Sequence, residues 1–475
     1  MAQRRTGTAS LIKLLGNWHQ DLPRTPVYRQ LADGLRLLIL DGRLPLESRL
    51  PGERELAAAL GVSRTTVATA LAQLREEGYL LSRHGSGSTA VLPEGTASAS
   101  PLPDSSALLD LSTAALSAGP EIHRAYTNAL IALPEHLGST GYDQHGLPEL
   151  REVIASRYAE RGLPTTADQI MVVNGAVSGF GLILRLLTGP GDRVVIDHPT
   201  YPMALAAIKG ASCRPVGVSL PENGWDIDGL SATIAQTSPR LAYLLPDFHN
   251  PTGRCMDAQT RAAVAKIAAR THTTIVVDET MMDLWFDAPP PPPLAAFDGA
   301  DKVITLGSAG KSFWGGIRLG WIRASSRTIA SLLQARGAMD LGTPVLEQLA
   351  TISLFNDAEN FLPERREILR QRRDACGEAI RELFPDWRVA QADGGLSWWI
   401  ELPKPLASAF AASAESIGIR IGAGPRFGTE GAFERYLRLP FTLETAQMRG
   451  ALERLQPLWQ QLAQTKHAAS RSMVV

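Results

Sequence analysis

Residues 303–321 of the chain read VITLGSAGKSFWGGIRLGW, and this stretch decides the fold. A β-rich apolar run leads into small residues around one lysine, Lys311, with Arg318 seven positions later. Small neighbours leave room for a flat ring above the backbone, and a neutral lysine amine can form a Schiff base with a carbonyl compound. A surface lysine on a loop is the other interpretation, and this stretch alone leaves the two about even.

Strand-like apolar runs alternate with helical stretches around this segment. Runs that are apolar on both faces and separated by helices are typical of a mainly parallel α/β sheet. Such sheets bind ligands at the carboxyl ends of their strands, and the candidate residues lie there. The strand-like runs occupy residues 169–174, 192–199, 240–247, 273–279 and 302–308, and helical stretches follow at 176–187, 200–210 and 258–271.

Composition narrows the class of protein. A chain of 475 residues predicts two or three domains, and 44% hydrophobic with 20% charged residues is ordinary for a soluble globular protein. Apolar runs stay shorter than the ~20 residues of a membrane span, and the N-terminus lacks the pattern of a signal peptide. The three cysteines, Cys213, Cys255 and Cys376, lie far apart, which predicts neither disulfides nor a metal site. We therefore predict a cytoplasmic protein.

Residues 26–92 show the pattern of a DNA-binding head. Residues 26–41 have apolar side chains, Leu31, Leu35, Leu38 and Ile39, at helical spacing. The next helix, ERELAAAL, ends at Gly61, and two residues later a serine caps another helix. Two helices joined by a tight turn predict a helix-turn-helix, and YLLSRHGSGSTAVL after them predicts a two-stranded wing. The alternative is a small packing unit with surface arginines.

The head resembles the winged-helix domain of the GntR superfamily of bacterial regulators. The resemblance rests on LPGERELAAALGVSRTTVATAL followed by GYL and HGSGS, and it implies a dimer that binds DNA at paired half-sites. The start of the second helix suits base and phosphate contacts in the major groove, and the other arginines suit phosphates. The predicted DNA-binding positions are Arg54, Ser63, Arg64, Thr65, Thr66, Arg83, His84 and Gly85.

The linker is visible as a change of composition. The run PEGTASASPLPDSS begins at residue 93, lacks an apolar period and predicts a flexible connection. We predict an N-terminal tail at 1–25, the winged helix-turn-helix at 26–92, a linker at 93–108, a large domain at 109–465 with a small subdomain at about 345–460, and a C-terminal tail at 466–475.

Residues outside the opening stretch suit pyridoxal phosphate. The pyridine nitrogen of that cofactor needs a carboxylate opposite it, and Asp278 ends the strand-like run TTIVVDE, although an N-cap role is the alternative. Asn250, in DFHNPTGR, can hydrogen-bond the ring hydroxyl, and Tyr201 can stack on the ring. Ser308 and Arg318 are suited to the phosphate. A helix start after a strand, where backbone N–H groups can hold a phosphate, is formed by Gly175, Ala176 and Val177.

Together these motifs resemble the fold-type I pyridoxal-phosphate enzymes, which have the aspartate-aminotransferase fold. The resemblance spans about residues 110–460 and includes YDQHGLPELREVIASRYAERG, HNPTG, VVDE, SAGK and YLRLPF. It implies that Lys311 forms the Schiff base, that Asp278 pairs with the pyridinium, and that Asn250 contacts the ring hydroxyl. It also implies that Tyr142 reaches the phosphate of a neighbouring subunit and that Arg438 binds an effector α-carboxylate.

Three positions depart from that family's pattern. The tyrosine usual three residues after the aspartate is Met281, the serine usual before the lysine is Gly310, and the usual Pro-Gly is Gly315–Gly316. The lysine, aspartate, asparagine and arginine remain, so we predict that the cofactor binds. The missing phenol removes one group that tunes the Schiff base, which argues against efficient transamination.

The full arrangement resembles the MocR-type transcription regulators, in which a GntR-like head precedes an aminotransferase-like domain. That resemblance implies a homodimer, an aldimine of pyridoxal phosphate on Lys311, and an amino compound or pyridoxal phosphate as effector. It leaves open whether the large domain turns over substrate. The hypotheses are a pyridoxal-phosphate-dependent regulator, a working aminotransferase that carries a DNA-binding head, and a structural relic that only dimerises the head.

Overall fold

The computed structural model describes residues 6–16, 18–19, 26–40, 43–83, 87–91, 108–222 and 224–464. The helices are α1 Thr8–Leu15, α2 Val27–Leu40, α3 Glu53–Leu60, α4 Arg64–Glu76, α5 Pro120–Ala132, α6 Pro148–Glu160, α7 Ala176–Leu187, α8 Pro202–Gly210, α9 Ile227–Thr237, α10 Ala258–Thr271, α11 Ala309–Ser312, α12 Ser326–Arg336, α13 Val345–Asn356, α14 Ala358–Leu383, α15 Ala407–Ser416 and α16 Thr445–Gln464. The strands are β1 Leu80–Arg83, β2 Gly87–Ala90, β3 Leu109–Leu111, β4 Ile170–Val173, β5 Arg193–His198, β6 Arg214–Ser219, β7 Leu241–Leu244, β8 Thr274–Asp278, β9 Val303–Ser308, β10 Gly320–Arg323, β11 Arg388–Val389, β12 Ser397–Glu401, β13 Ile419–Ala423 and β14 Tyr436–Pro440.

The winged helix-turn-helix predicted for the head is confirmed. Helix α3 ends at Gly61, whose left-handed φ of 67° suits glycine, and the Ser63 hydroxyl caps α4 by accepting from the Thr66 backbone N–H at 3.0 Å. Strands β1 and β2 pair antiparallel to form the wing. The apolar stripe of α2 that the sequence predicts is fully buried against α4, so the head has its own core.

The large domain is built on a seven-stranded sheet, in the order β4-β10-β9-β8-β7-β5-β6. Every neighbouring pair is parallel except those of β10, which runs antiparallel to both β4 and β9. Strands β4 and β7 are buried along their whole length because helices cover both faces of the sheet. The predicted mainly parallel α/β fold is therefore confirmed.

Two glycines of the opening stretch explain how its strands fit together. Gly307 of β9 lies opposite Trp321 of β10, and a Cβ on Gly307 would stand 2.1 Å from the indole ring. A Cβ on Gly320 would stand 2.8 Å from the backbone N of Ala176, at the start of α7. The small residues around Lys311 thus let a buried tryptophan and a helix start approach the same two strands.

The small domain contains a second sheet, in the order β11-β12-β14-β13-β3. Strand β3, directly after the linker region, pairs parallel with β13 at the sheet edge, and the other pairs are antiparallel. Helices α14, α15 and α16 cover it, and their apolar faces share one core with the sheet. Helix α15 also packs against α2 of the head. Across the described residues, every helix is too short or too polar to cross a membrane.

Candidate functional site

Lys311 lies on a one-turn helix between two anchored ends. At the N-terminal end of α11, the Ser308 hydroxyl accepts from the Gly310 backbone N–H at 3.0 Å. At the C-terminal end, the Arg365 guanidinium donates to the carbonyls of Ser312 and Phe313 at 3.0 and 2.6 Å. These bonds replace partners that so short a helix cannot supply itself, so the backbone on both sides of Lys311 is held in place.

The Lys311 amine is held in a partly apolar, cationic environment. Its Nζ donates to the Ala114 carbonyl at 2.7 Å. Burial, with the nearby cations Arg438 and Arg318 acting in the same direction and Asp278 opposing them, lowers the pKa of Lys311 to about 8. A lysine with such a pKa is partly neutral near physiological pH, which is the form that attacks an aldehyde.

The reaction of Lys311 with pyridoxal phosphate should therefore depend on pH. We expect its rate to rise with pH through about 8, because the neutral amine is the nucleophile. Arg438→Gln removes a cation that lowers the pKa of Lys311, so the midpoint should move to higher pH. Stopped-flow absorbance across the neutral and alkaline range measures this midpoint, with Arg449→Gln as the surface control. A midpoint that falls or stays in place in Arg438→Gln would contradict the assignment.

Asp278 stands where the sequence analysis places it, at the carboxyl end of β8. Its carboxylate is buried and accepts from the Tyr243 hydroxyl at 2.5 Å and from the Thr280 backbone N–H at 3.0 Å. Burial raises the pKa of Asp278, and those hydrogen bonds together with the Lys311 charge lower it. Tyr243 was missed in the sequence, where it reads only as an apolar position of a buried strand.

Arg438 and Asn250 meet in the wall between the two domains. The Arg438 guanidinium donates to Asn250 Oδ1 at 3.3 Å and to the Ser112 carbonyl, and its Cζ lies 5.0 Å from the centre of the Phe427 ring. Burial lowers the pKa of Arg438 to about 10, and the charge of Arg426 contributes. The Arg438 Nε is buried without a hydrogen-bond partner in the described part of the chain. A carboxylate suits this group.

The predicted phosphate residues surround the start of α7. Gly175 is the N-cap, with φ 91°, and a Cβ there would stand 2.9 Å from the Arg318 guanidinium, so glycine keeps the cradle open. The N–H groups of Ala176 and Val177 begin the helix and have no carbonyl one turn earlier within it. The Ser308 hydroxyl already donates to the Leu319 carbonyl at 3.2 Å. The N–H groups and Arg318 are therefore the better placed phosphate ligands.

The two predicted tyrosines and Met281 differ from one another in their surroundings. Tyr201 is the N-cap residue of α8, and burial raises its pKa, with the Asp278 charge contributing in the same direction. Tyr142 is 73% exposed on the loop before α6. Met281 is buried in the hydrophobic cluster of the small domain and contributes no hydroxyl at the position where the family pattern has a tyrosine.

A buried ionic network connects the strand end of Asp278 to the loop of Asn250. Arg161 bonds Glu279 at 3.0 Å and Asp247 at 3.3 Å, and Asp247 also pairs with Arg261. Both carboxylates are fully buried, and burial raises the pKa of Glu279. The sequence signals this network only weakly, because its members come from four separate segments.

The predicted DNA-binding face is partly visible. Arg54, Arg64 and Thr65 are exposed at the starts of α3 and α4, and the Arg64 Nε stands 4.0 Å from Glu53. Ser63 and Thr66 form the helix cap described above, and their side-chain oxygens lie 2.8 Å apart. The predicted wing contacts, namely the Arg83 side chain, His84 and Gly85, lie outside the described residues.

Two family models match the chain. Residues 109–455 match "Aminotransferase class I and II", and residues 27–89 match "Bacterial regulatory proteins, gntR family". The probable rhizopine catabolism regulatory protein MocR of Rhizobium meliloti is 30% identical, over 78% of this chain and 80% of its own length. An uncharacterized HTH-type transcriptional regulator of Bacillus subtilis, YdfD, is 26% identical over 88% of this chain and 93% of its own length.

Solved aminotransferases share the fold of the large and small domains. The α-aminoadipate aminotransferase LysN of Thermus thermophilus, complexed with N-(5'-phosphopyridoxyl)-L-leucine, superimposes with a TM-score of 0.69 and 24% identity, over 75% of this chain and 93% of its own. An archaeal alanine:glyoxylate aminotransferase gives a TM-score of 0.70 and 23% identity, over 74% and 91% of the two chains.

Proposed function

The chain belongs to the aminotransferase class I and II family and carries a gntR-family head, which is the MocR-type architecture. We propose that it is a DNA-binding transcription regulator and that a ligand bound at Lys311 changes its affinity for the operator. The observation that carries the proposal is the presence, in one chain, of a helix-turn-helix with an exposed arginine at the start of its second helix and of a buried lysine with a lowered pKa. A protein that reads chromosomal DNA works in the cytoplasm of a bacterium, which is our proposal for its location.

Family membership implies pyridoxal phosphate as the cofactor, and the residues present fit it. Asp278 is a buried carboxylate that Tyr243 and a backbone N–H hold in place, Gly175 leaves a cradle beside Arg318, and Lys311 has a lowered pKa. When bound, the cofactor supplies an aldehyde for reversible covalent exchange with amines and a ring that withdraws electrons.

The chain's own residues have separable tasks at this site. Arg318 and the start of α7 hold the phosphate, and Asp278 holds a proton at the pyridine nitrogen. Arg438 receives the carboxylate of an amino-acid effector, which must replace the Ser112 carbonyl on the guanidinium, and Asn250, whose Oδ1 accepts from Arg438, is the proposed partner of the ring hydroxyl. Position 281 brings no phenol to the site, so covalent exchange can occur without efficient turnover.

The alternative hypothesis of a working aminotransferase is tested by kinetics. Steady-state transfer of an amino group from an amino acid to a 2-oxo acid, at a rate typical of enzymes, would establish it. Our proposal expects spectral changes when amines are added but no sustained turnover. Met281→Tyr is the informative variant, because a regained phenol should raise the rate only if Met281 limits it.

For the head, we expect Arg64→Ala to weaken specific DNA binding. Arg64 is exposed on the first turn of α4, and loss of a bidentate contact to a base costs about 1–3 kcal/mol. Arg54→Ala, at a proposed phosphate contact, should weaken binding to all DNA sequences alike, and the slope of log affinity against log salt concentration should fall by about one. Fluorescence anisotropy with a selected operator and a scrambled duplex separates the two. Unchanged operator affinity in Arg64→Ala would contradict the assignment, whereas the cofactor absorbance should stay the same.

We further propose a homodimer formed through the large domain. Apolar side chains on α5 and the loop after it are strongly exposed, with Leu130 at 58%, Ile131 at 75% and Leu137 at 69%. Such a group of exposed apolar side chains, in the segment that precedes the exposed Tyr142, is typical of an interaction surface between copies of a chain.

Ile131→Asp should therefore produce a monomer, because a buried interface does not accommodate an unpaired carboxylate. Light scattering of the purified protein measures the change, and Ile368→Asp on α14, at a side chain that is 41% exposed, is the matched control. A dimer of unchanged stability in Ile131→Asp would refute the interface.

A further inference from the structure

Residues 424–433, between β13 and β14, run from the carboxylate site to the head. We call them the seam loop. At the inner end, Phe427 packs under the Arg438 guanidinium, and its carbonyl accepts from the Thr200 backbone N–H at 2.8 Å. The Thr429 backbone N–H donates to His198 Nε2 at 3.1 Å. This end therefore moves with Arg438 and with the segment that leads into Tyr201.

The outer end of the seam loop contacts α1 and the glycine that ends it. Glu430 pairs with Lys13, and the backbones of Gly16 and Gly431 touch. A Cβ on Gly16 would stand 2.9 Å from the Gly431 Cα, and a Cβ on Gly431 would stand 2.7 Å from the Gly16 Cα. Both glycines have left-handed φ values, 57° and 74°, which other residues adopt with strain. Side chains larger than hydrogen would separate the two chain segments.

Helix α1 is part of the head and not a free tail. Its Leu11 is completely buried in the head core, and Thr8 hydrogen-bonds Glu55 of α3, the first helix of the helix-turn-helix. A cavity of about 270 Å³ lies beside this contact, between α1 and α2 on one side and α15 and α16 on the other, and Trp18 and Glu434 help to line it. The boundary between the seam loop and the head thus has one tight contact, at Gly16 and Gly431, and a neighbouring cavity into which α1 can shift slightly.

The charges at the inner end make the electrostatic interaction between the seam loop and Arg438 different in the free and the ligand-bound site. Burial is the main cause of the lowered pKa of Arg438, and electrostatic repulsion by Arg426, in the seam loop, adds to it. A carboxylate bound to Arg438 cancels its charge and removes that repulsion. Ligand binding can change an equilibrium only through such a difference, and packed contacts respond by small rigid displacements.

We propose that the seam loop transmits occupancy of the carboxylate site to the winged head through its contact with α1. This inference rests on the proposed function and goes beyond it, because it identifies the route from ligand to DNA-binding surface. It predicts that binding of a ligand's carboxylate, rather than of its phosphate or ring, is what changes the structure of the head.

Hydrogen exchange of the full-length protein tests the proposal with two probes. N-(5'-phosphopyridoxyl)-L-leucine carries a phosphate, the ring and a carboxylate, whereas pyridoxamine 5'-phosphate lacks the carboxylate. Both probes should slow amide hydrogen exchange at the start of α7. Only the first should change the exchange rate in α1, by about fivefold or more, which is the lower range of measured allosteric coupling.

Charge variants make the test specific to the seam. Glu430→Lys should abolish the change in α1 while both probes still protect α7, and Lys13→Glu combined with Glu430→Lys should restore it, because the pair is then reversed. Arg449→Glu, at the exposed pair with Glu382, is the matched control and should behave as wild type.

The outcomes separate this inference from the function on which it rests. Equal exchange in α1 with the two probes, while both protect α7, overturns the transmission route and leaves the cofactor site intact. An undiminished change in Glu430→Lys also overturns it. Failure of both probes to protect α7 overturns the proposed function as well.

Discussion

Alanine in place of Lys311 should leave the protein unable to hold pyridoxal phosphate covalently. We expect the wild-type protein to keep a visible absorbance band after gel filtration, and the variant, saturated with the cofactor and passed over the same column, to lack it. The reason is the environment of this amine: burial and two neighbouring arginines lower the pKa of Lys311 to about 8, so part of it is neutral and nucleophilic near physiological pH.

Lys209→Ala is the matched control for that experiment. Burial also lowers the pKa of Lys209, but this residue lies at the C-terminal end of α8, and we expect the absorbance to be unchanged. Borohydride reduction followed by peptide mapping should recover the label on the peptide that contains Lys311. A label on another lysine, or an undiminished band in Lys311→Ala, would remove the basis of the assignment.

The second large effect concerns stability. Asp247→Ala should destabilise the large domain by about 3–5 kcal/mol, because it leaves the fully buried Arg261 without its carboxylate and weakens the hold on Arg161. The midpoint of urea unfolding, followed by circular dichroism, should fall accordingly. Cofactor affinity should fall with it, since Asp247 belongs to the segment that leads to Asn250.

Two further variants show whether the loss of stability in Asp247→Ala comes from the buried ionic network. Asp247→Leu combined with Arg261→Met removes a balanced pair, so it should cost less than Asp247→Ala alone. Arg420→Ala breaks an exposed pair with Glu415 and should cost less than about 1 kcal/mol. If Asp247→Ala unfolds at the wild-type midpoint, the network does not stabilise the site.

Local pattern predicted the helices and wing of the head, five strands of the large sheet with three of its helices, and the residues at strand ends. Asp278 and Lys311 follow apolar runs directly, so their placement at the carboxyl edge of the sheet follows from the parallel architecture. The cap at Ser63 is equally local, because the hydroxyl and the N–H it accepts from are three residues apart.

Contacts between distant segments could not be predicted in this way. Tyr243 reaches Asp278 from the next strand, and Arg365 holds the turn after Lys311 from a helix more than fifty residues later. Strand β3 pairs with β13 across about three hundred residues, which no local pattern encodes. Helix α1 falls in residues 1–25, where the sequence predicted a tail, because eight residues are too few for a clear helical period.

The central claim is that a ligand at Lys311 sets operator affinity. The most direct measurement is an anisotropy titration of a selected operator with the cofactor-loaded protein, repeated in the presence of each compound from a panel of amines and amino acids. We expect at least one compound to shift the affinity of wild-type protein by about fivefold or more, and the same compound to have no effect on Lys311→Ala. An equal shift in the two proteins, or identical affinity with every compound, would contradict the account.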